Sequence, residues 1–192
     1  MPRLSSDTLW TDSLSKTSIP SGEYGAPIQT KFKHFTHRSS QSILGDNTFN
    51  VISNFQITIT PQRTANKLLI GVQWCGEVDD LWQKAFSVGR SGTVYTAYPD
   101  FPNPYQSDIQ NGTAPGLDTY ASTAENNATT PASCTFWAFD TAVSTSSSVT
   151  YQLIVRSNLN ETFYTNRTQT DSDLITHERF QSWMCVMEFS GG

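Results

Sequence analysis

The sequence predicts an all-β protein, an antiparallel β-sandwich, on three observations. Apolar residues recur with a period of two, Ser/Thr/Asn-rich turns separate those runs, and no long helical period interrupts them. Within Val149 to Val155, Val149, Tyr151, Leu153 and Val155 fall on one face while Thr150, Gln152 and Arg156 fall on the other, the alternation of a half-buried strand. Only Ile154 breaks it. Charged residues make up 15% of the 192-residue chain and aromatics 12%, a balance that favours strands over helices. A chain of this length buries roughly 70% of its unfolded surface, so the fold stands on its core without disulfide staples.

Residues 1 to 27 read as an N-terminal arm, in which Leu4, Leu9, Trp10 and Leu14 are spread through Ser, Thr and Asp before the break at Pro20-Ser21-Gly22 and a second proline at Pro27. Asp7 is placed to cap a short helix carrying Leu9, Trp10 and Leu14. One or two turns are marginal unless they dock on something, so the arm reads as an anchor.

Residues 28 to 192 form the sandwich domain. Lys31, Lys33, His34, His37 and Arg38 read as a solvated strand face. Phe55, Ile57 and Ile59 alternate with Gln56, Thr58 and Thr60 until Pro61 ends the run, because proline cannot donate to a ladder. After a short turn, Leu68, Ile70, Val72 and Trp74 share one face. The two runs predict a hairpin.

The stretch from about 91 to 133 reads as a long loop holding Tyr95, Tyr98, Phe101, Tyr105 and Tyr120 among five prolines and several Gly and Asn residues. Rings in a stiffened loop offer contact area at small entropic cost, which makes this a candidate ligand loop. The last strand is apolar on both faces. Trp183, Cys185, Met187 and Phe189 point one way, and Met184 and Val186 the other, with Glu188 as the exception. Without helices to cover the second face, Trp183, Met184 and Val186 are the candidates for self-association.

Chemistry is sparse. His34 and His37 lie three apart and face opposite ways on a strand, so they do not make a metal pair. The carboxylates at Glu77, Asp79 and Asp80, and at Asp171 and Asp173, read as solvated turns rather than calcium ligands. No Gly-x-Ser-x-Gly elbow or His-Glu-x-x-His pattern accompanies His177-Glu178, and nothing singles out a carboxylate pair for glycosidic cleavage. The reading is non-enzymatic, with no catalytic residue, cofactor or metal.

The net charge of −5 and the scattered basic residues argue against nucleic acid. No apolar run near 18 residues and no basic-then-apolar leader at Met1-Pro2-Arg3-Leu4 occur, so membrane spanning and secretion by that route are not expected. Cys75, Cys134 and Cys185 are odd in number and lie in or beside apolar strands, where they are expected reduced. Synthesis in a reducing cytoplasm fits. The Asn-x-Thr triplets at Asn111, Asn127, Asn160 and Asn166 are then expected to be unmodified.

The order of several segments resembles a domain of structural proteins in marine and cyanobacterial tailed phages, often attached to fibres. Phe55 to Pro61 followed by Asn66 to Ile70 is similar to the family's paired strands. Val88-Gly89-Arg90-Ser91-Gly92-Thr93 resembles its "L-R-x-G-T" strand end, and Phe136 to Asp140 with Thr150 to Leu153 resembles "fLD, then TYxvq". Tyr164 to Thr168 before Met187-Glu188-Phe189 resembles "vyvNRs, then mEi". The chain departs from the pattern at Asp140-Thr141-Ala142, where proline is usual, and in the aromatic loop.

The resemblance covers most of residues 28 to 192 and implies a jelly-roll-like sandwich, trimeric in the manner of tumour-necrosis-factor and complement-type heads and displayed on the virion surface after synthesis in the host bacterium. With only a short arm after Met1 and no fibrous shaft, a capsid decoration or head-fibre protein is the expected role. Its partners would be further copies of itself and the major capsid protein or another virion structural protein. The alternatives are a tail-fibre tip whose aromatic loop stacks on a host surface glycan, and a soluble carbohydrate-binding module.

Overall fold

In a computed structural model, the described residues are 26–45, 49–78, 84–90, 116–117, 132–140, 143, 146–157, 159–170 and 181–190. They form ten strands: β1 (Gln29–Phe35), β2 (Ser39–Ile43), β3 (Phe49–Ile59), β4 (Lys67–Val78), β5 (Lys84–Arg90), β6 (Gly116–Leu117), β7 (Ala132–Asp140), β8 (Val149–Arg156), β9 (Glu161–Thr165) and β10 (Ser182–Phe189). No helix occurs among them. One sheet runs β1-β10-β4 with β7 on the far edge of β4, and the other runs β3-β8-β5-β6. Every pairing is antiparallel.

The fold is a β-sandwich, and its pairing explains the wrapping. β1 pairs with β10, β3 with β8, β4 with β7, and β5 with β6. Strands from the two ends of the chain therefore pair progressively inward, which is one long hairpin rolled into two sheets, the jelly roll. β2 and β9 extend the first sheet as a second pair, with β9 joining β4 at Gly76 to Val78 beyond the end of β10.

The alternation read from the sequence holds on the inner faces. Leu68, Ile70, Val72 and Trp74 of β4 and Tyr151, Leu153 and Val155 of β8 are all buried in one cluster with Phe55, Ile57, Ile59, Phe86 and Phe163. Trp74, Phe86 and Phe163 pack with centroids 5.3 to 5.9 Å apart, the tilted geometry aromatic rings prefer. Ile154, the residue that breaks the alternation in β8, is fully buried on the opposite face.

The expected hairpin between Phe55–Thr60 and Lys67–Trp74 is corrected. β3 and β4 lie in different sheets, and the connection through Pro61 to Asn66 crosses the open end of the sandwich. Alternation requires only that both strands turn an apolar face to the core, which a hairpin and an arch between layers satisfy equally. Glu188 on β10 decides for the arch: its Oε1 accepts the Gln62 backbone N–H at 2.7 Å and the Asn66 side-chain amide. Within the stretch read as one long loop, Gly116 and Leu117 pair with β5, and β7 begins at Ala132.

Candidate functional site

Three buried polar clusters hold the sandwich. In the first, Asp140 Oδ2 accepts the Tyr151 hydroxyl at 2.7 Å and an Arg90 guanidinium N–H at 3.1 Å. In the second, Glu188 takes donors from Gln29, Gln62 and Asn66. The third centres on Asn166, whose backbone N–H donates to Cys75 O at 2.8 Å. Its side chain donates to Phe35 O and His37 O and accepts from the Ser182 N–H and hydroxyl. It sits where β1 gives way to β2 and β9 to β10, with a φ of 58° that asparagine tolerates better than most residues.

Asn66, Arg90, Asp140, Tyr151, Asn166 and Glu188 supply the side chains of these clusters. Asp140 and Glu188 both face the core on either side of Leu68, two strand spacings or about 10 Å apart. Both are fully buried and accept hydrogen bonds from donors within the sandwich. Among the described residues, no group of three or more His, Cys, Asp or Glu is placed to hold a metal ion, and no helix is long and apolar enough to cross a membrane.

The candidate site is the outer face of the first sheet. Its middle row runs Phe32, Cys185, Gly71, Trp137 across β1, β10, β4 and β7. Two small residues thus lie between two large rings. The Trp137 ring reaches over Gly71, where an added Cβ would lie 2.6 Å from Cζ3 and 2.8 Å from Cys185 Sγ. Trp183, one row along, stacks on Phe32 at 5.5 Å and tilts against Trp137 at 6.3 Å, and its indole N–H donates to Gln73 Oε1. Phe32 is 53% exposed, Trp137 41% and Ile28 40%. Together they form an exposed apolar patch on the strand face.

This arrangement redistributes the residues singled out for self-association. Trp183 lies on the outer face, while Met184 and Val186 are fully buried in the intramolecular core. On that face Trp183 lies beside Phe32 and Trp137. The signal for Trp137 was an apolar ring at the polar phase of an alternating strand, between the buried Phe136 and Ala138. Phe32, between Lys31 and Lys33, carried no such signal because alternation alone would turn it inward.

The arm residues Leu4, Leu9, Trp10 and Leu14 and the loop residues Tyr95, Tyr98, Phe101, Tyr105 and Tyr120 lie outside the described residues, as do Asp79, Asp80, Asp171, Asp173 and His177. His34 lies beside Phe32 on the outer face at 4.7 Å. All three cysteines are free and buried. Burial pushes the Cys134 thiol up to about 11 and raises those of Cys75 and Cys185.

One sandwich edge is closed by side chains. Gln29, Lys31 and Lys33, on alternate positions of β1, donate to the carbonyls of Thr60, just past the end of β3, and of Thr58 and Gln56 on β3, at 2.8 to 3.0 Å. Further along, the Gln41 amide donates to Val51 O and accepts the Ser53 N–H, both at 2.7 Å. These bonds occupy the edge groups through which β3 would otherwise pair with a stray strand.

Comparison with protein-family models found no match, and comparison with curated proteins found no relative. The fold and this surface define the class: a jelly-roll β-sandwich with an exposed aromatic face.

Proposed function

We propose that this chain is a virion structural protein, a capsid decoration or head-fibre protein that self-associates as a trimer and attaches through its N-terminal arm. The observation that carries the reading is the outer face of the first sheet, where Phe32, Trp137 and Trp183 form an aromatic patch. Copies covering that patch in one another would remove it from water, a gain of about 25 cal/mol per Å2 of apolar surface. Closed ring symmetry would satisfy every copy alike. The resemblance to tailed-phage structural domains supplies the virion, and Leu4, Leu9, Trp10 and Leu14 supply an apolar anchor. Many weak contacts of this kind sum through multivalency on a particle.

The role is not enzymatic in this reading, since the buried carboxylates of the sandwich are spent on its architecture. Immunogold labelling of intact particles, with antibody raised to residues 28 to 192, tests it. Label over the head, lost when residues 1 to 27 are deleted, is the expected result. Label confined to the tail would transfer the protein to the receptor-binding role, and absence of label would overturn the virion reading.

A further inference from the structure

Two irregular segments face each other at one end of the β1–β3 edge. β3 leaves its ladder with β8 between Val51 and Gln56, so that Ile52 to Phe55 stand opposite Leu153 alone, and Asn54 lies in the left-handed region at a φ of 62°. Asparagine tolerates that backbone. The bulge turns both Ile52 and Phe55 into the core and swings Ser53 and Asn54 out to solvent, which strict alternation would not allow. Facing it, β1 ends at Phe35 and the chain turns through Thr36, His37 and Arg38 into β2.

Both segments are held from behind. The Asn166 side chain donates to Phe35 O and His37 O, and the Gln41 side chain donates to Val51 O and accepts the Ser53 N–H. Between them lies a pocket of about 220 Å3 whose lining includes Lys33, His37, Ser39, Ser53 and Asn54. Its apolar base is the Phe35 ring stacked on Phe55 at 4.1 Å. Lys33 Nζ donates to Gln56 O at 3.0 Å and lies 4.9 Å from the centre of the Phe35 ring, which holds the ammonium over that base with donors to spare. None of the described lining residues is acidic.

We propose that this pocket binds a phosphate-type oxyanion, free or carried on a sugar. The inference goes beyond the virion reading and does not depend on self-association, because the pocket is built within one chain. Lys33 supplies a permanent charge, while the His37 imidazole, the Ser39 and Ser53 hydroxyls and the Asn54 carboxamide supply donors. An ammonium with several neutral donors and no carboxylate beside it matches an acceptor that carries several oxygens and negative charge. The volume falls below the range of about 300–1,000 Å3 for drug-sized ligands, so one compact group fills it.

NMR of the full, deuterated chain tests this, with amide shifts followed while inorganic phosphate replaces chloride at constant ionic strength. Saturating shifts confined to the turn at Thr36, His37 and Arg38 and the bulge at Ser53, Asn54 and Phe55 are expected. Lys33→Gln removes the charge but keeps an amide donor for Gln56 O, so its unfolding midpoint should stay close to the natural one while binding weakens about tenfold or more. Lys33→Arg should retain binding. Asn54→Gly keeps the left-handed backbone, loses only the carboxamide, and should weaken binding with stability unchanged.

Glucose 6-phosphate and glucose distinguish the source of the anion. Shifts at the same amides with glucose 6-phosphate and none with glucose would support a sugar-borne phosphate, and binding of inorganic phosphate alone would support the free ion. Shifts that grow without saturating, that saturate away from both segments, or that survive Lys33→Gln and Asn54→Gly undiminished would overturn the site. Equal binding of glucose would overturn recognition of the anion.

Discussion

The Tyr151 hydroxyl donates to Oδ2 of Asp140 at 2.7 Å, and this bond ties β8 of one sheet to β7 of the other across the interior. Arg90 on β5 donates to the same oxygen, so one buried atom collects three strands. Tyr151→Phe removes one donor and is expected to cost about 1–2 kcal/mol in urea unfolding. Asp140→Ala leaves the guanidinium without this partner and is expected to cost about 3–5 kcal/mol.

Acid should act through Glu188. Burial alone pushes this carboxyl up, but the donors from Asn66, Gln29 and the backbone of Gln62 and Arg63 together outweigh it, and its pKa lies below the ordinary glutamate value. A depressed pKa means that the folded state binds fewer protons. The stabilisation is then complete above the unfolded glutamate pKa of about 4.3 and is lost as pH falls through the lower folded value. Glu188→Gln should be less stable than the natural chain by about 2–3 kcal/mol at pH 7. Below about pH 4 the difference should narrow, as followed by unfolding at a series of pH values.

Asn166 combines a positive φ with a side chain bonded on both sides. Asn166→Gly keeps the backbone conformation and loses only the side-chain bonds to Phe35, His37 and Ser182. Asn166→Ala loses those bonds and must also hold a left-handed conformation, which costs a further 1–2 kcal/mol or so. Denaturant titration of both variants should place alanine below glycine, the reverse of the usual order.

The buried thiols should be silent in the folded protein. With Cys134 raised to about 11 and the other two raised by burial, a thiol reagent at pH 8 should label none of the three until denaturant is added, and all three afterwards.

Period-two alternation made the inner faces of β4 and β8 legible from the sequence, because one wrong register would put Leu68 or Leu153 in water. It could not distinguish a hairpin from an arch, since Phe55 and Leu68 face the core in either. The difference lies in Glu188, more than a hundred residues away, and long-range polar contacts leave no local periodicity. Trp183 was legible as one end of an apolar outer face. Its partners were not, because Phe32 and Trp137 join it only when β1, β10, β4 and β7 are set side by side. Met184 and Val186 looked equally available until the second sheet was placed over them.

The mass of the chain in solution, measured by light scattering on a size-exclusion column, tests the central claim most directly. A particle of three 21.3 kDa chains is expected, reduced to single chains by Trp137→Ser with the fold unchanged by circular dichroism. A single-chain mass for the natural protein at every concentration would contradict it.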